Sequence, residues 1–278
     1  MIIELFKNIY LNLLIVIKKF GLFKLPKNSL RVLMYHNISE ENFENFEKQI
    51  LYLKKNWKFI SPRKFKSIIK KKNHINGRNL LITFDDGFKS NYLIAKKILK
   101  KYNIKGIFFI PFKFILLKNT KQKINFIKNN LKLNQISKDM ANMDLNDLKY
   151  LNKNGHEIGS HTYSHKNLKN ISNKNILKNE IYKKNQLLEK KVNIKFKSFE
   201  FNFGTIAFIS EASLIISSKI YENVFVAIRG ENKSNNKLIY RDNVNSYENP
   251  KKLELYLSGV FDSIYKKQRK DLEDMLTK

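Results

Sequence analysis

The sequence predicts an α/β fold organised around a parallel sheet or barrel, and three observations predict it. From Arg31 onward, short apolar runs alternate with stretches of helical periodicity. The spacing of that alternation is that of strand–helix–strand units, whose strands pair in parallel. Carboxylates and histidines follow directly on apolar runs, where parallel barrels collect their reactive groups.

Residues 1–28 come first. In MIIELFKNIYLNLLIVIKKF, Ile2, Phe6, Ile9, Tyr10, Leu13, Ile17 and Phe20 recur at helical spacing, and Glu4, Lys7, Asn8 and Lys19 fall largely elsewhere. The uncharged run from Asn8 to Ile17 is short of the roughly 20 residues that cross a bilayer, and no small-residue cleavage site follows. Two placements stay open: an amphipathic helix lying in an anionic membrane surface, or a helix docked on the protein's own core. The expected location is the cytoplasm or the periphery of the inner membrane, with an uncleaved signal anchor as a further option.

Residues 29–248 form the expected main domain. Arg31–Tyr35 (RVLMY) reads as a strand, Phe43–Trp57 as a helix and Phe59–Ile60 as extended; Ser61 then caps a helix with Pro62 in its first turn. Leu80–Phe84 (LLITF) is a strand leading to a helix that ends near Tyr102, and Lys105–Ile110 is the next strand. Residues 112–143 are Lys/Asn-rich and long for a connection, which suggests an insertion or lid. Asp144 caps a helix that Gly155 ends, and Glu157–Ser160 is short and extended. A helix through about Lys190, a strand at Ser198–Phe203, a helix from Ile209 to Lys219 and a strand at Val224–Ile228 follow. Pro250 opens a final helix, from Lys251 to about Met275, that fills 249–278.

Composition narrows the function. The chain has no cysteine, which excludes disulfides, thiolate metal ligands and a cysteine nucleophile. Lys and Arg total 54 against 24 Asp and Glu, a net charge of +30 that attracts polyanions. The lysines are spread along the whole chain together with Asn and Ile, the pattern of a general compositional bias. No aromatic RNA-binding motif or zinc-finger spacing accompanies them, so no specific nucleic acid is expected as a partner.

The strand LLITF runs into Asp85-Asp86-Gly87. Adjacent carboxylates at the carboxyl end of a buried strand are costly without a cation or a proton, and two of them can divide the labour of holding a metal and taking a proton. A solvated Asp-Asp-Gly turn is the alternative. The segment GHEIGSHTYSH then supplies His161 and His165, an i, i+4 pair that shares a face on helical backbone and suits chelation of one metal. One Asp and two His leave coordination positions open, as hydrolytic and oxidative metal sites require. A non-haem iron enzyme is therefore a competing reading, against which strand–helix alternation and the second carboxylate favour hydrolysis. His156, ahead of its strand, reads as structural, and His74 in a lysine-rich stretch as exposed.

LLITFDDGF, GHEIGSHTYSH and FEFNFG, in that order, resemble the polysaccharide deacetylase superfamily, the NodB homology domain of carbohydrate esterase family 4, over roughly Arg31 to Val244. Met34-Tyr35-His36 and Tyr240-Arg241-Asp242-Asn243-Val244 are similar to the circularly permuted branch that acts on poly-N-acetylglucosamine. The resemblance implies a distorted (β/α) barrel with fewer than eight parallel strands. It implies a hydrolase that removes an N-acyl group, acetyl in the first instance, from an amino sugar in a polysaccharide or lipid-linked precursor of the cell envelope. Asp85 would be the general base. Asp86, His161 and His165 would bind one divalent ion, zinc first, with cobalt, nickel, manganese or iron(II) as alternatives. The Phe203 N–H would help hold the oxyanion, His36 would be the general acid, and Arg241 would orient Asp85.

The chain departs from the family in its third motif. Asn202 stands where relatives of this branch carry proline, which frees the backbone at Phe203, and Glu200 stands where a small residue is expected. A glycan-binding relative without catalysis is the alternative those changes raise.

Overall fold

The computed structural model describes residues 25–70, 75–136 and 140–277. The expected amino-terminal helix up to residue 24, and His74, lie outside them. Among the described residues no helix is long and apolar enough to cross a membrane.

Among the described residues nine strands form one sheet: β1 (Ser29–Tyr35), β2 (Lys58–Phe59), β3 (Arg78–Phe84), β4 (Gly106–Ile110), β5 (Glu157–Ser160), β6 (Ser198–Glu200), β7 (Asn223–Val226), β8 (Leu238–Tyr240) and β9 (Asp242–Asn243). Their order is β8-β7-β6-β5-β4-β3-β1-β9, with β2 beside β3, and every pairing is parallel. β1 and β3 run in register from Ser29 opposite Arg78 to Tyr35 opposite Phe84. The main strands are buried along nearly their whole length, as expected where helices cover a parallel sheet.

The two edges of the sheet meet at Arg241. β8 pairs with β7, β9 pairs with β1, and the single residue Arg241 separates them. One kinked stretch thus closes a barrel. Asn232, fully buried, stitches the seam: its side-chain Oδ1 accepts from Tyr240 N at 2.9 Å, its Nδ2 donates to Tyr240 O at 2.9 Å, and its own N–H donates to Leu30 O at 3.0 Å. The strand path has eight named members, but with the kinked stretch taken as one strand the ring has seven, the distorted barrel that the sequence predicts.

Strand periodicity sorts the residues into an inner and an outer set. Leu30, Val32, Leu81, Ile107, Phe109, Phe225 and Ile239 form one cluster inside the barrel, and the helix Pro62–Lys70 plugs its lower end with Phe65 and Ile69. The alternate residues, among them Leu33, Tyr35, Ile82, Phe84 and Phe108, pack outward against the helices. Gly159 is required by this packing, since a Cβ there would lie 2.5 Å from the ring of Phe109. Further along the same inner face the residues turn polar: Thr83 and Asp85, His161, Glu200 and Arg241.

The outer face carries its own buried charges. Arg31 is held by Asp242 at 2.6 Å and by Asp262 at 2.7 Å, and Arg229 reaches Asp242 at 3.1 Å. This cluster ties β9 to β1 and to the turn at Asp262–Tyr265.

Two expectations change. The segment 249–278 is not one helix but two, Pro250–Leu257 and Lys266–Thr277, because Gly259 at φ 84° breaks the first. The strand expected over Ser198–Phe203 stops at Glu200, where a turn with positive φ at Phe203 and Gly204 takes over. The described part of 112–143, the stretch expected as an insertion or lid, contains two helices, Phe112–Leu116 and Thr120–Asn129, whose Phe114, Phe126 and Ile127 pack with Phe88 and Leu131 into a small separate core.

Candidate active site

The site is built where strands end. The ladder between β1 and β3 continues one step beyond Phe84, with Asp85 N donating to Tyr35 O at 2.9 Å. Asp86 and Gly87 then both take φ 71°, a left-handed turn that Asp tolerates better than most residues. That turn separates the two carboxylates. Arg241 takes Asp85, and Asp86 faces the histidines.

His161 follows β5 directly, with its N–H on Ile110 O at 3.1 Å. The stretch to His165 is not helical, so the i, i+4 spacing works by another route than the sequence suggests. Thr162 and His165 have φ 63° and 56°, and the Thr162 hydroxyl accepts the His165 N–H at 3.0 Å, folding the loop back on itself. The result places His161 Nε2 and His165 Nε2 each 3.4 Å from Asp86 Oδ1.

All three side chains are buried. A tetrahedral ion with bonds of ~2.0–2.1 Å sets its ligand atoms about 3.4 Å apart, so the donor set fits a divalent metal. Both imidazoles are also held by their far nitrogen. His165 Nδ1 lies 2.9 Å from Asn130 O, and His161 Nδ1 lies against the Glu200 carboxylate. With Nδ1–H donating in each case, the Nε2 lone pairs point at one place. Burial alone would raise Asp86, but hydrogen bonds to His161 and His165 hold it well below the usual carboxylate range. Burial would lower His161, and the Glu200 and Asp86 carboxylates carry it well above the ordinary imidazole value instead. An acidic cradle that attracts a proton this strongly also attracts a cation.

Glu200 is the residue that sequence reasoning undervalued. Its Oε1 pairs with Arg241 Nη2 at 2.5 Å, while Arg241 Nη1 pairs with Asp85 Oδ1 at 2.8 Å and reaches Thr83 Oγ1 at 3.3 Å. Arg241 is completely buried, its guanidinium 5.4 Å above the ring of Phe109. One arginine thus serves two carboxylates, one beside the cluster of Asp86, His161 and His165 and one behind it. Burial raises the Glu200 carboxyl, opposed by His161 and Arg241. Once both imidazoles are neutral, as metal ligation requires, the formal charges of three carboxylates and one guanidinium leave two negative charges in excess, which a divalent cation would cancel.

The third motif is anchored despite the missing proline. Asn202 is buried, and its Nδ2 donates to Thr162 Oγ1 at 2.9 Å and to Lys166 O at 2.8 Å, joining this loop to the one that carries both histidines. Gly204 sits so close to Ala227 that a Cβ would fall 2.3 Å from its nitrogen. Its carbonyl accepts the Ala227 N–H at 2.8 Å. The sequence expectation of a freed backbone at Phe203 is therefore corrected: hydrogen bonds replace the ring. The Phe203 ring packs edge-on to His165.

A cavity of about 240 Å³ brings together Asp85, Asp86, His161, His165, His36 and Phe203. Arg241 and Asn202 stand behind it. His36 follows β1 and is exposed at the cavity mouth. Leu131 and Leu133, from the segment after the helix Thr120–Asn129, form an apolar side wall. His156 lies at the far end of β5, accepting the Gly106 N–H on Nδ1 at 3.1 Å, with Phe108 edge-on to its ring.

The family model described as polysaccharide deacetylase matches residues 72–214, which include Asp85, Asp86, His161, His165 and Glu200 but neither His36 nor Arg241. Over 87 residues the chain is 33% identical to the putative polysaccharide deacetylase YxkH of Bacillus subtilis (strain 168), a match that covers 29% of this chain and 31% of that relative's length. The structure of the Streptococcus pyogenes deacetylase PplD in complex with acetate is similar with a TM-score of 0.66 at 18% identity, covering 84% of this chain and 99% of that one. IcaB from Ammonifex degensii gives 0.64 at 18% identity, covering 83% and 97%. At such identities the two structures speak for the barrel alone.

Proposed function

The chain belongs to the polysaccharide deacetylase family, and from that premise we propose that it is a metal-dependent carbohydrate N-deacetylase, hydrolysing the N-acyl group, acetyl in the first instance, of an amino sugar in a glycan or glycan precursor. The observation that carries this reading is the buried set Asp86, His161 and His165, with Asp85 beside it in one cavity and locked by Arg241.

A divalent ion held by the three side chains, zinc in the first place, would supply Lewis acidity to the acyl carbonyl and to the attacking water. Asp85 accepts the water's proton. Arg241 grips Oδ1 of that carboxylate, so Oδ2 is outside the ion pair and serves as the base. The Phe203 N–H, which makes no hydrogen bond among the described residues, donates to the oxygen that becomes negative as the carbonyl is attacked. His36 protonates the amine nitrogen as the C–N bond breaks, which an amide requires because its amine is a poor leaving group. The products are a carboxylate and a free amino sugar. The anchored third motif supports catalysis over the non-catalytic glycan-binding alternative.

The test is acyl release by metal-stripped protein reloaded in turn with Zn²⁺, Co²⁺, Ni²⁺ or Mn²⁺, on a panel of N-acetylated amino-sugar oligomers. Release is expected only from loaded protein, and His161→Ala should bind the ion at least ~10–100-fold more weakly. Oligomer binding without release under every metal would overturn the reading in favour of a glycan-binding protein.

A further inference from the structure

One buried carboxylate takes no part in the proposed hydrolysis. Glu180 is 4% exposed and lies outside the residues that line the cavity of Asp86, His161 and His165. It belongs to a π turn, Asn179–Lys183, set between the helices Lys174–Lys178 and Asn185–Val192. Such a turn widens the backbone and recurs at functional sites. A neutral side chain would fill the position without the cost of burying a charge, so the carboxylate calls for a reason.

The reason lies in what it grips. Ser164, next to His165, gives its N–H to Glu180 Oε2 at 2.9 Å and its hydroxyl to Oε1 at 2.7 Å. The Glu180 carbonyl accepts the Tyr163 N–H at 2.8 Å. From another side Asn130 Nδ2 donates to Ser164 O at 2.8 Å, so the N–H, hydroxyl and carbonyl of Ser164 are all tied. Asn185, buried just past the turn, donates to Ser160 Oγ at 2.9 Å, directly ahead of His161. The loop held in this way carries Thr162 and His165 at positive φ, a conformation that persists only where the surroundings over-determine it. Asn202 holds the loop at Thr162 and Lys166, and Glu180 holds it at Ser164.

We propose that Glu180 is a positioning residue for the candidate metal ligands, fixing His165 through Ser164 so that the His165 Nε2 converges with Asp86 and the His161 Nε2. The inference rests on the metal-dependent reading and gives a share of the site's geometry to a residue that never touches the metal. His161 follows β5 directly and has Glu200 against its ring, so loss of Glu180 displaces one imidazole and spares the other.

The experiment loads wild type, Glu180→Ala, Glu180→Gln and Leu177→Ala with Co²⁺. Leu177, buried in the core on the preceding helix, is the control for stability lost without this contact. Competition with a chelator gives the affinity, the visible spectrum gives the ligand geometry, and proton NMR gives the shifted ring N–H resonances of the two histidines. Glu180→Ala should bind Co²⁺ about 10–100-fold more weakly, alter the spectrum and move one of the two resonances. Glu180→Gln should restore all three, since its amide oxygen accepts the Ser164 N–H and its NH₂ donates to a hydroxyl that turns its proton round. Leu177→Ala should lower the denaturant midpoint and leave the Co²⁺ site as in wild type. Wild-type affinity and spectrum in Glu180→Ala, or the same changes in Leu177→Ala, would overturn the positioning role. Should Glu180→Ala not fold, Ser164→Ala removes only the hydroxyl contact and should move the same resonance; an unmoved resonance counts against the proposal. If wild type binds no divalent ion, the metal reading fails by itself. The imidazole nitrogen resonances of His165 in metal-free protein then decide whether Glu180 holds that ring, and unmoved resonances in Glu180→Ala mean that it does not.

Discussion

Glu200 is predicted to set the affinity of the metal. Glu200→Gln keeps the shape of the side chain and removes its charge. Two contacts change at once: the carboxylate against His161 Nδ1, and the 2.5 Å pair with Arg241 Nη2. The first contact fixes the tautomer and plane of a ligand, and losing such a partner commonly weakens metal binding ~10–100-fold, or about 1.4–2.7 kcal/mol. Loss of one of the two uncompensated charges acts in the same direction. Full burial of Glu200 excludes water as a substitute, so the upper half of that range is expected. Competition with a chromophoric chelator measures the affinity, and the visible spectrum of the Co²⁺-loaded protein reports ligand geometry separately from catalysis. Unchanged affinity together with an unchanged Co²⁺ spectrum would refute the argument that Glu200 positions His161.

Other outcomes follow from the same geometry. Asp85→Asn should retain the metal and lose about 10²–10⁴-fold in turnover; loss of the metal instead would mean that the two aspartates exchange roles. His36→Ala should lower amide hydrolysis by about 10²–10⁴-fold and harm an aryl acetate ester far less, since an aryloxide leaves without help; equal losses would reduce His36 to shaping the mouth. Asn202→Ala leaves Thr162 and Lys166 without their partner and should cost about 1–3 kcal/mol in stability, read from the denaturant midpoint; an unchanged midpoint would mean that the histidine loop has another anchor. Burial and Lys105 push His156 down to about 4. The unfolded chain therefore takes up a proton at this histidine before the folded one does, and stability should fall as pH drops from ~6.5 to about 4, by at most ~3 kcal/mol. His156→Gln should lose that part of the pH dependence, and parallel curves for the two proteins would count against it.

The barrel and the donor cluster Asp86, His161 and His165 were legible because they are written in residue types at fixed spacing. LLITF ahead of Asp85-Asp86 and the two histidines after Glu157–Ser160 name both the strands and the donors. Glu200 was visible only as a departure. Its role depends on the inner face of β6 meeting His161 from β5 and Arg241 from the seam, a convergence that no local pattern encodes, although a lone carboxylate between Phe199 and Phe201 was a signal. The Asn130 carbonyl that orients His165 is main chain and leaves no mark in the sequence at all. β8 and β9 escaped because three and two residues on either side of Arg241 are too few to show alternation. The predicted carboxyl-terminal helix was too long because its apolar period carries on past Gly259, whose positive φ ends it.

The placement of Arg241 makes the order of folding matter to chemistry. Asp85 and Arg241 are 156 positions apart, and the arginine reaches its carboxylates only when the stretch 238–243 has crossed from β7 to β1. Contacts this distant in the chain form late, because the entropy of bringing the ends together must be met first. On the proposed function, a nascent or partly unfolded chain can assemble the β3 and β5 ends, and with them the candidate metal cradle, while Asp85 still lacks its cation. Hydrolytic competence then arrives with the last staves of the barrel, and the return of activity on refolding becomes a clock for closure of the seam.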